Sequence, residues 1–366
     1  MTHCIMSGLD LHDATLVLQT ALDKGPEQRM TFDHTAKGKR KMVSELRKRA
    51  KAAGGARIVV AYEASGLGYQ LYDELTAQGI ECHVLSPGGI KRSAKGRRRK
   101  TDSEDARVIL EEVRGYVLAG NKMPVVWVPD RKTREDRDLV RMRLTTGVDL
   151  KQHKNRIQSL LKLNGLRKPS GMEGAWSVPH RKWLASLTEA ARLGEGLRQV
   201  LASLLRQMEM LAQEVENLDK ALERLSQDAR YAAPCQALMA HKGVGLLAAM
   251  VYLTEIGDAS RFPNRRTVGS YWGIVPSSDE SGEADDRKGH ITHQGNPRVR
   301  YVLCQAVWTR IRTCPEEQKR YGKMVKRNPK HKMIAVVALM RRLSIRLWHT
   351  AVKAQREAGL FAKEAA

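Results

Sequence analysis

The stretch Ile5-Met-Ser-Gly-Leu-Asp-Leu-His-Asp-Ala-Thr-Leu-Val-Leu-Gln-Thr-Ala-Leu22, followed by Met30-Thr-Phe-Asp33, decides the fold. Ile5 to Leu9, Thr15 to Leu22 and Met30 to Asp33 are short β-type runs separated by turn-like residues, which predicts three antiparallel strands in a meander. Outward from these, the chain alternates. A helix is expected from Gly38 to Ala53, a strand from Arg57 to Glu63, a helix from Leu67 to Gln78, a strand from Glu81 to Ser86, a helix from Ser103 to Leu118 and a strand from Val125 to Val128.

A meander followed by strand–helix alternation is the order of an RNase H-like α/β domain, placed at residues 1–130. The competing arrangement is an ordinary doubly wound domain, but no Gly-rich phosphate loop follows the first strand, so a nucleotide-cofactor site is weakly supported. From Asp130 to about Leu166 the pattern is long, helical and basic, with Arg141, Arg143, Lys151, Lys154, Arg156 and Lys162 among apolar positions. Lys168 to Gly174 interrupts it. Leu197, Leu201, Leu204, Met208, Leu211, Val215, Leu218, Leu222 and Leu225 then alternate spacings of four and three, the a/d series of a coiled coil. The spacing leaves open whether the partner helix lies in the same chain or in a second subunit, and the expectation is a homodimer or homotetramer joined by this seam. Residues 131–233 therefore form a basic helix and coiled-coil region. After Pro234 a Gly-punctuated, mainly α domain occupies 234–366, opening with Gly243-Val-Gly245 before a helix start, where backbone N–H groups can meet a phosphate.

The chain has 366 residues with 64 Lys and Arg against 40 Asp and Glu, a formal charge of +24. A surplus of this size points to a polyanion. The longest purely apolar run, Leu246 to Leu253, is far short of the roughly 20 residues of a membrane-spanning helix. The N-terminus lacks the basic-then-apolar order of a secretory signal, and five widely spaced cysteines suit neither a disulfide framework nor paired zinc ligands. A cytoplasmic, nucleoid-associated protein with reduced thiols is expected.

Net charge is +1 over residues 1–90, +12 over 91–170, −2 over 171–260 and +13 over 261–366. The densest patch is Lys91, Arg92, Lys95, Arg97, Arg98, Arg99 and Lys100. Such runs are often solvated surface, but this density suits phosphate neutralisation.

Phosphodiester chemistry with Mg²⁺ or Mn²⁺ needs carboxylates converging from separate elements. Asp10 ends the first strand, Glu63 ends the strand from Arg57, and Asp102 and Asp105 share one face of a helix start at spacing i, i+3. Taken singly, Asp102 reads as a helix cap and Asp105 as a first-turn acid. Together the four read as a metal site.

Gly8-Leu-Asp10, Tyr62-Glu-Ala-Ser-Gly66 and Lys100-Thr-Asp-Ser-Glu-Asp-Ala106 resemble, in order, the D, E, D and D signatures of the DEDD transposases of the insertion sequence 110 family, including its 1111 subgroup. The second half resembles the C-terminal transposase domain of that family through Gly243-Val-Gly245, Glu255-Ile-Gly-Asp258, Arg261-Phe-Pro263, Gly269-Ser-Tyr271, Gly273-Ile-Val-Pro276, Ser281-Gly282, Gly289-His-Ile-Thr292 and Gly295-Asn296. The resemblance covers nearly the whole chain. It implies a recombinase with a RuvC-like domain and a serine nucleophile, which by motif position is Ser281. It further implies a phosphoserine-linked intermediate and a structured bridge RNA pairing with donor and target DNA. Two departures stand out: Glu280 precedes the serine, and His293 occupies a position where the family commonly has lysine.

A serine hydroxyl is a poor nucleophile without a base or metal, and no His–Asp pair lies within a few residues of Ser281. Metal-bound carboxylates from the first domain would meet that need. Arg287, Lys288, Arg298 and Arg300 surround the motif and are expected to hold scissile phosphates, alongside Lys91, Arg92, Arg97, Arg98, Arg99 and Lys100. The favoured function is therefore DNA excision and insertion, with double-stranded element ends and target as partners. The rivals are a metal-dependent, structure-selective nuclease of Holliday-junction-resolvase type and a non-catalytic nucleic-acid-binding protein.

Overall fold

β1 (Cys4–Leu11) is buried at every residue from Cys4 to Leu9, as befits a central strand covered on both faces. A computed structural model describes residues 3–90, 102–172, 174–278 and 288–360. In its first unit, Met1–Pro129, β1 lies at the middle of a five-stranded sheet with β2 (Thr15–Leu22), β3 (Gln28–Asp33), β4 (Arg57–Glu63) and β5 (Glu81–Leu85), in the order β3-β2-β1-β4-β5. The β1–β2 and β2–β3 pairs are antiparallel, whereas β1–β4 and β4–β5 are parallel. This is the meander followed by crossovers that the order of runs predicts, and it is the sheet of an RNase H-like domain.

Strand alternation sends successive side chains to opposite faces. On one face Leu9, Tyr62 and Val84 pack with Met42 and Leu46 of α1 (Ala36–Ala52) and Leu71 and Leu75 of α2 (Gln70–Thr76). On the other, Met6, Val59 and Ala61 pack with Ile109, Leu110 and Val113 of α3 (Asp102–Ala119). Thr35 caps α1 by accepting the Gly38 N–H at 3.1 Å.

Two expected elements differ. Val125–Val128 follows the edge of β5, with the Val126 N–H donating to the Val84 carbonyl at 2.7 Å, but forms only an isolated bridge between Val125 and Leu85. Pro124 and Pro129 bracket it and lack the N–H groups a longer ladder needs. α2 is shorter than the predicted Leu67–Gln78, because Gly68 and Gly79 take φ of +71° and +74° at its ends.

The second unit, Asp130–Ala366, is mainly helical. α4 (Arg131–Leu163), α5 (Val178–Glu189) and α6 (Glu195–Ser226) are followed by α7 (Ala232–Met239), α8 (Leu246–Ile256), α9 (Arg265–Tyr271), the hairpin strands β6 (Pro276–Ser278) and β7 (Lys288–Ile291), α10 (Pro297–Thr313), α11 (Pro315–Arg327) and α12 (Lys332–Glu357).

The heptad stripe of α6 finds its partner within the chain. α4 and α6 run antiparallel, with Lys132 bound to Asp228 at 2.5 Å, Arg143 to Asp219 at 2.6 and 2.9 Å, and His153 to Gln207 at 2.9 Å. Leu201, Leu205 and Met208 meet Ile157 and Leu161 of α4 and Leu184 and Leu187 of α5. Part of the stripe expected to join subunits is thus packed on α4 and α5, because α5 and its flanking turns return the chain along the helix it has just left. Among the described residues no helix is long and apolar enough to cross a membrane.

Candidate active site

Asp10 and Glu63 sit at the ends of neighbouring parallel strands. Leu9 pairs with Tyr62, so the next residue on each strand, Asp10 and Glu63, lies one step further along. Counting by twos from Met6 and Ala61 places both carboxylates on the α3 face. Asp10 is largely buried, its side chain 18% exposed, and one carboxylate oxygen lies 3.0 Å from Nε2 of His12.

α3 brings its first turn to the same end of the sheet. A Cβ on Gly8 would lie 2.2 Å from the Ala106 carbonyl oxygen and 2.3 Å from the Leu110 nitrogen, so the helix rests directly on the β1 backbone there. Toward its far end Tyr116 stacks edge-on against His83 with ring centroids 5.4 Å apart, and Arg114 donates to the Gly25 carbonyl at 3.0 Å, just past Leu22, which pairs with Ile5 at the start of β1. The helix therefore runs opposite to β1. Its first turn, with Asp102 and the buried Asp105, is carried toward the end where Asp10 and Glu63 stand. For Asp102 only the backbone is described.

These residues are all carboxylates, the donors a hard divalent cation prefers, and they share one face and one end of the sheet. Among the described residues, no group of three His, Cys, Asp or Glu side chains is close enough to hold an ion. Sequence reasoning missed Gly8 as the contact that seats α3 and His12 as the partner of Asp10. The i, i+2 spacing of Asp10 and His12 along a strand was the available signal.

In the second unit the family-like motifs prove to be joints. Glu255, 5% exposed, receives two bonds from Arg141 at 2.7 and 2.9 Å. Arg137 donates to the carbonyls of Thr254 and Glu255 at 2.6 and 3.1 Å, pinning α8 to α4. The α7–α8 turn places Gly243, at φ +86°, against the Ala306 carbonyl of α10, where a Cβ would come within 2.8 Å. Gly295 fits against the backbone of Tyr271 and Trp272, where a Cβ would be 2.2 Å from carbonyl and carbon atoms. Asn296 caps α10 by accepting the Arg298 N–H at 2.8 Å, and Pro297 supplies the first helical residue.

Arg300 donates to the carbonyls of Gly295 and Trp272 at 2.6 and 3.1 Å, and burial lowers its pKa. The structure thus ties one nitrogen of this arginine to the glycine joint. Arg298 lies on the first turn of α10. His293, the position of one departure, takes φ +55° beside Gly273.

Beside the β6–β7 hairpin lies a cavity of about 1620 Å³, bordered by α9, α11 and α12. Arg265, Arg266, Lys330, Lys332, Arg341 and Arg342 line it over an apolar floor that includes Ile274, Ile291 and Val337, and no acidic residue is among the described lining. The hairpin's connecting segment carries Ser281 and Arg287, which lie outside the described residues, as do Lys91, Arg92, Arg97, Arg98, Arg99 and Lys100. Lys288 is described only through its backbone.

Residues 7–164 match the DEDD transposase domain model of the IS110 family, and residues 235–322 match the model described as transposase, IS116/IS110/IS902 family. A putative transposase of Sinorhizobium fredii is 30% identical over 329 residues, covering 83% of this chain and 80% of that protein. The chain belongs to the IS116/IS110/IS902 family of transposases. A second putative transposase of that organism is 31% identical over 252 residues, but the match spans only 58% of its length. The transposase for insertion sequence element IS1533 of Leptospira borgpetersenii is 25% identical, with 84% and 86% of the two chains aligned. In this transposase the first matched region contains Asp10, Glu63, Asp102 and Asp105, and the second contains Ser281 and the glycine joints.

Proposed function

We propose that this transposase cuts and rejoins double-stranded DNA at its element ends and target, with Ser281 as nucleophile and a structured guide RNA selecting the sites. The placement of Asp10 and Glu63 on one face at one end of the sheet, the end toward which the first turn of α3 runs, is the observation that carries the reading. Asp10, Glu63, Asp102 and Asp105 would hold Mg²⁺ or Mn²⁺, which would supply Lewis-acid stabilisation of charge on the phosphoryl oxygens. His12 orients Asp10 through its Nε2 contact. The Ser281 oxygen attacks phosphorus, its proton passes to a base, the bond to the leaving sugar oxygen breaks, and that oxygen is protonated. A later attack by a sugar hydroxyl on the serine ester restores the diester and frees the serine, so no nucleoside triphosphate is needed. The basic cavity beside the β6–β7 hairpin gives the strand near Ser281 a place to lie.

The test is trapping of a covalent protein–DNA adduct from the full-length protein on element-end DNA. Ser281→Ala should abolish the adduct and strand exchange, and persistence of either would remove the serine mechanism. Sequencing of RNA that copurifies with the protein should return one discrete structured species, and its absence would remove the guide.

A further inference from the structure

The first ninety residues are almost neutral in sum, yet the fold sorts their charges onto different surfaces. Eight of the eleven basic residues in 1–90 lie on α1. Lys37, Arg40, Lys41, Arg47, Lys48 and Lys51 are all exposed, and at 3.6 residues per turn they share an arc of about 120°. The opposite side of the helix carries Met42, Val43, Leu46 and Ala50, packed on the sheet. At the margins Lys39 is paired with Glu74 and Arg49 with Glu45. Arg47 donates to the Gln78 carbonyl, which leaves its charge uncompensated. Among the described residues, Lys37, Arg40, Lys41, Lys48 and Lys51 have no acidic partner.

Helix stability accounts only for the last turn of this stripe, where Lys51 complements the negative end of the helix dipole. No acid stands in the first turn of α1, where Lys37 opposes the positive end of the helix dipole. Lys37 and Lys41, and Arg47 and Lys51, are like charges four residues apart and repel. A polyanion would relieve both. The stripe has no aromatic side chain on which unpaired bases could stack, and its regularly spaced cations suit the backbone of a duplex.

We infer that the exposed face of α1 binds the sugar–phosphate backbone of double-stranded DNA without sequence preference, as a site separate from the carboxylates. This rests on the reading of the chain as a DNA transposase. α1 and α3 cover opposite faces of the sheet, so the stripe lies across the sheet from the face that carries Asp10 and Glu63. From Lys37 to Lys51 the stripe is about 21 Å long, a length over which the two strands of a duplex together carry about 12 phosphates.

The experiment uses the full-length protein, a random-sequence DNA duplex followed by fluorescence anisotropy between about 50 and 200 mM salt, and the variant K37Q/K41Q/K48Q/K51Q. Losing four phosphate contacts should make the slope of log affinity against log salt shallower by about 3 to 4. The thermal midpoint should be no lower than that of the wild type, and cleavage of element-end DNA at saturating concentration, in the presence of the copurifying RNA, should be retained. An unchanged slope in a variant of a wild-type protein that binds and cleaves duplex would overturn the α1 site alone. A wild-type protein that binds no duplex and, with its copurifying RNA, cuts no element-end DNA would overturn the proposed cutting and rejoining of DNA with it. Preference of the α1 face for an RNA duplex over the DNA duplex would also overturn the proposal.

Discussion

Gly8 of β1 and Ala106 of α3 touch backbone to backbone: a Cβ on the glycine would stand 2.2 Å from the alanine's carbonyl oxygen. No rotamer change can relieve such a contact, because both partners are main chain. Gly8→Ala should push α3 off the sheet and carry Asp105 away from Asp10 and Glu63. The expected destabilisation is about 1–3 kcal/mol, with a larger fractional loss of DNA cleavage than of folded protein, read by denaturant titration alongside a cleavage assay.

Asp10→Asn should leave the thermal midpoint within a few degrees of wild type while lowering divalent-ion-dependent cleavage by about 10²–10³-fold. His12→Ala removes only the group that orients Asp10 and should cost about 10–100-fold, in ion affinity more than in maximal rate. Titrating Mg²⁺ against cleavage distinguishes the two. Equal effects in both variants would show that His12 does more than position its neighbour.

Glu255 is a buried carboxylate held by Arg141 and faced at 3.7 Å by Arg137, whose side chain is 11% exposed, so truncation would leave the buried Arg137 charge uncompensated. Glu255→Ala should cost about 3–5 kcal/mol in the unfolding of the second unit. Glu255→Gln, which keeps the shape and some hydrogen bonding, should cost less.

Asp130 caps α4. Burial alone would raise its pKa, but the Thr133 N–H and hydroxyl and the Arg230 guanidinium stabilise the charged form and bring it down to about 2. Because the folded value lies below the ordinary carboxylate value of about 3.9, its contribution is fully present above about pH 4 and is lost as pH falls through about 2. Asp130→Ala should cost about 1 kcal/mol at neutral pH, and the difference from wild type should shrink below pH 4 in urea titrations.

How much of this was legible beforehand depends on whether a signal is local. The strands from Ile5, Thr15, Met30, Arg57 and Glu81 could be read because apolar and β-branched runs between turn residues carry their own meaning. Asp10 and Glu63 could be read because they end such runs. Long-range partners could not. The Leu201 to Leu222 stripe announces a seam but not which helix fills it, and Glu255 looked like part of a motif before Arg137 and Arg141 reached it from more than a hundred residues away. The α1 stripe was hidden for another reason. A segment sum cancels Lys37 and Lys48 against acids such as Asp10, which folding then places on another face of the sheet.

The antiparallel pairing of α4 and α6 links two separate apolar clusters, one at the base around Val140, Leu144 and Leu222 and one at the tip around Ile157, Leu184 and Leu201. Between Leu144 and Ile157 lies a stretch of about 20 Å in which the two helices chiefly meet each other. Adding or removing one heptad from each would therefore change the distance from base to tip by about 10 Å while keeping both clusters in register. Reach in this arm is a quantity that insertion can tune in discrete steps, leaving the Glu255 joint untouched.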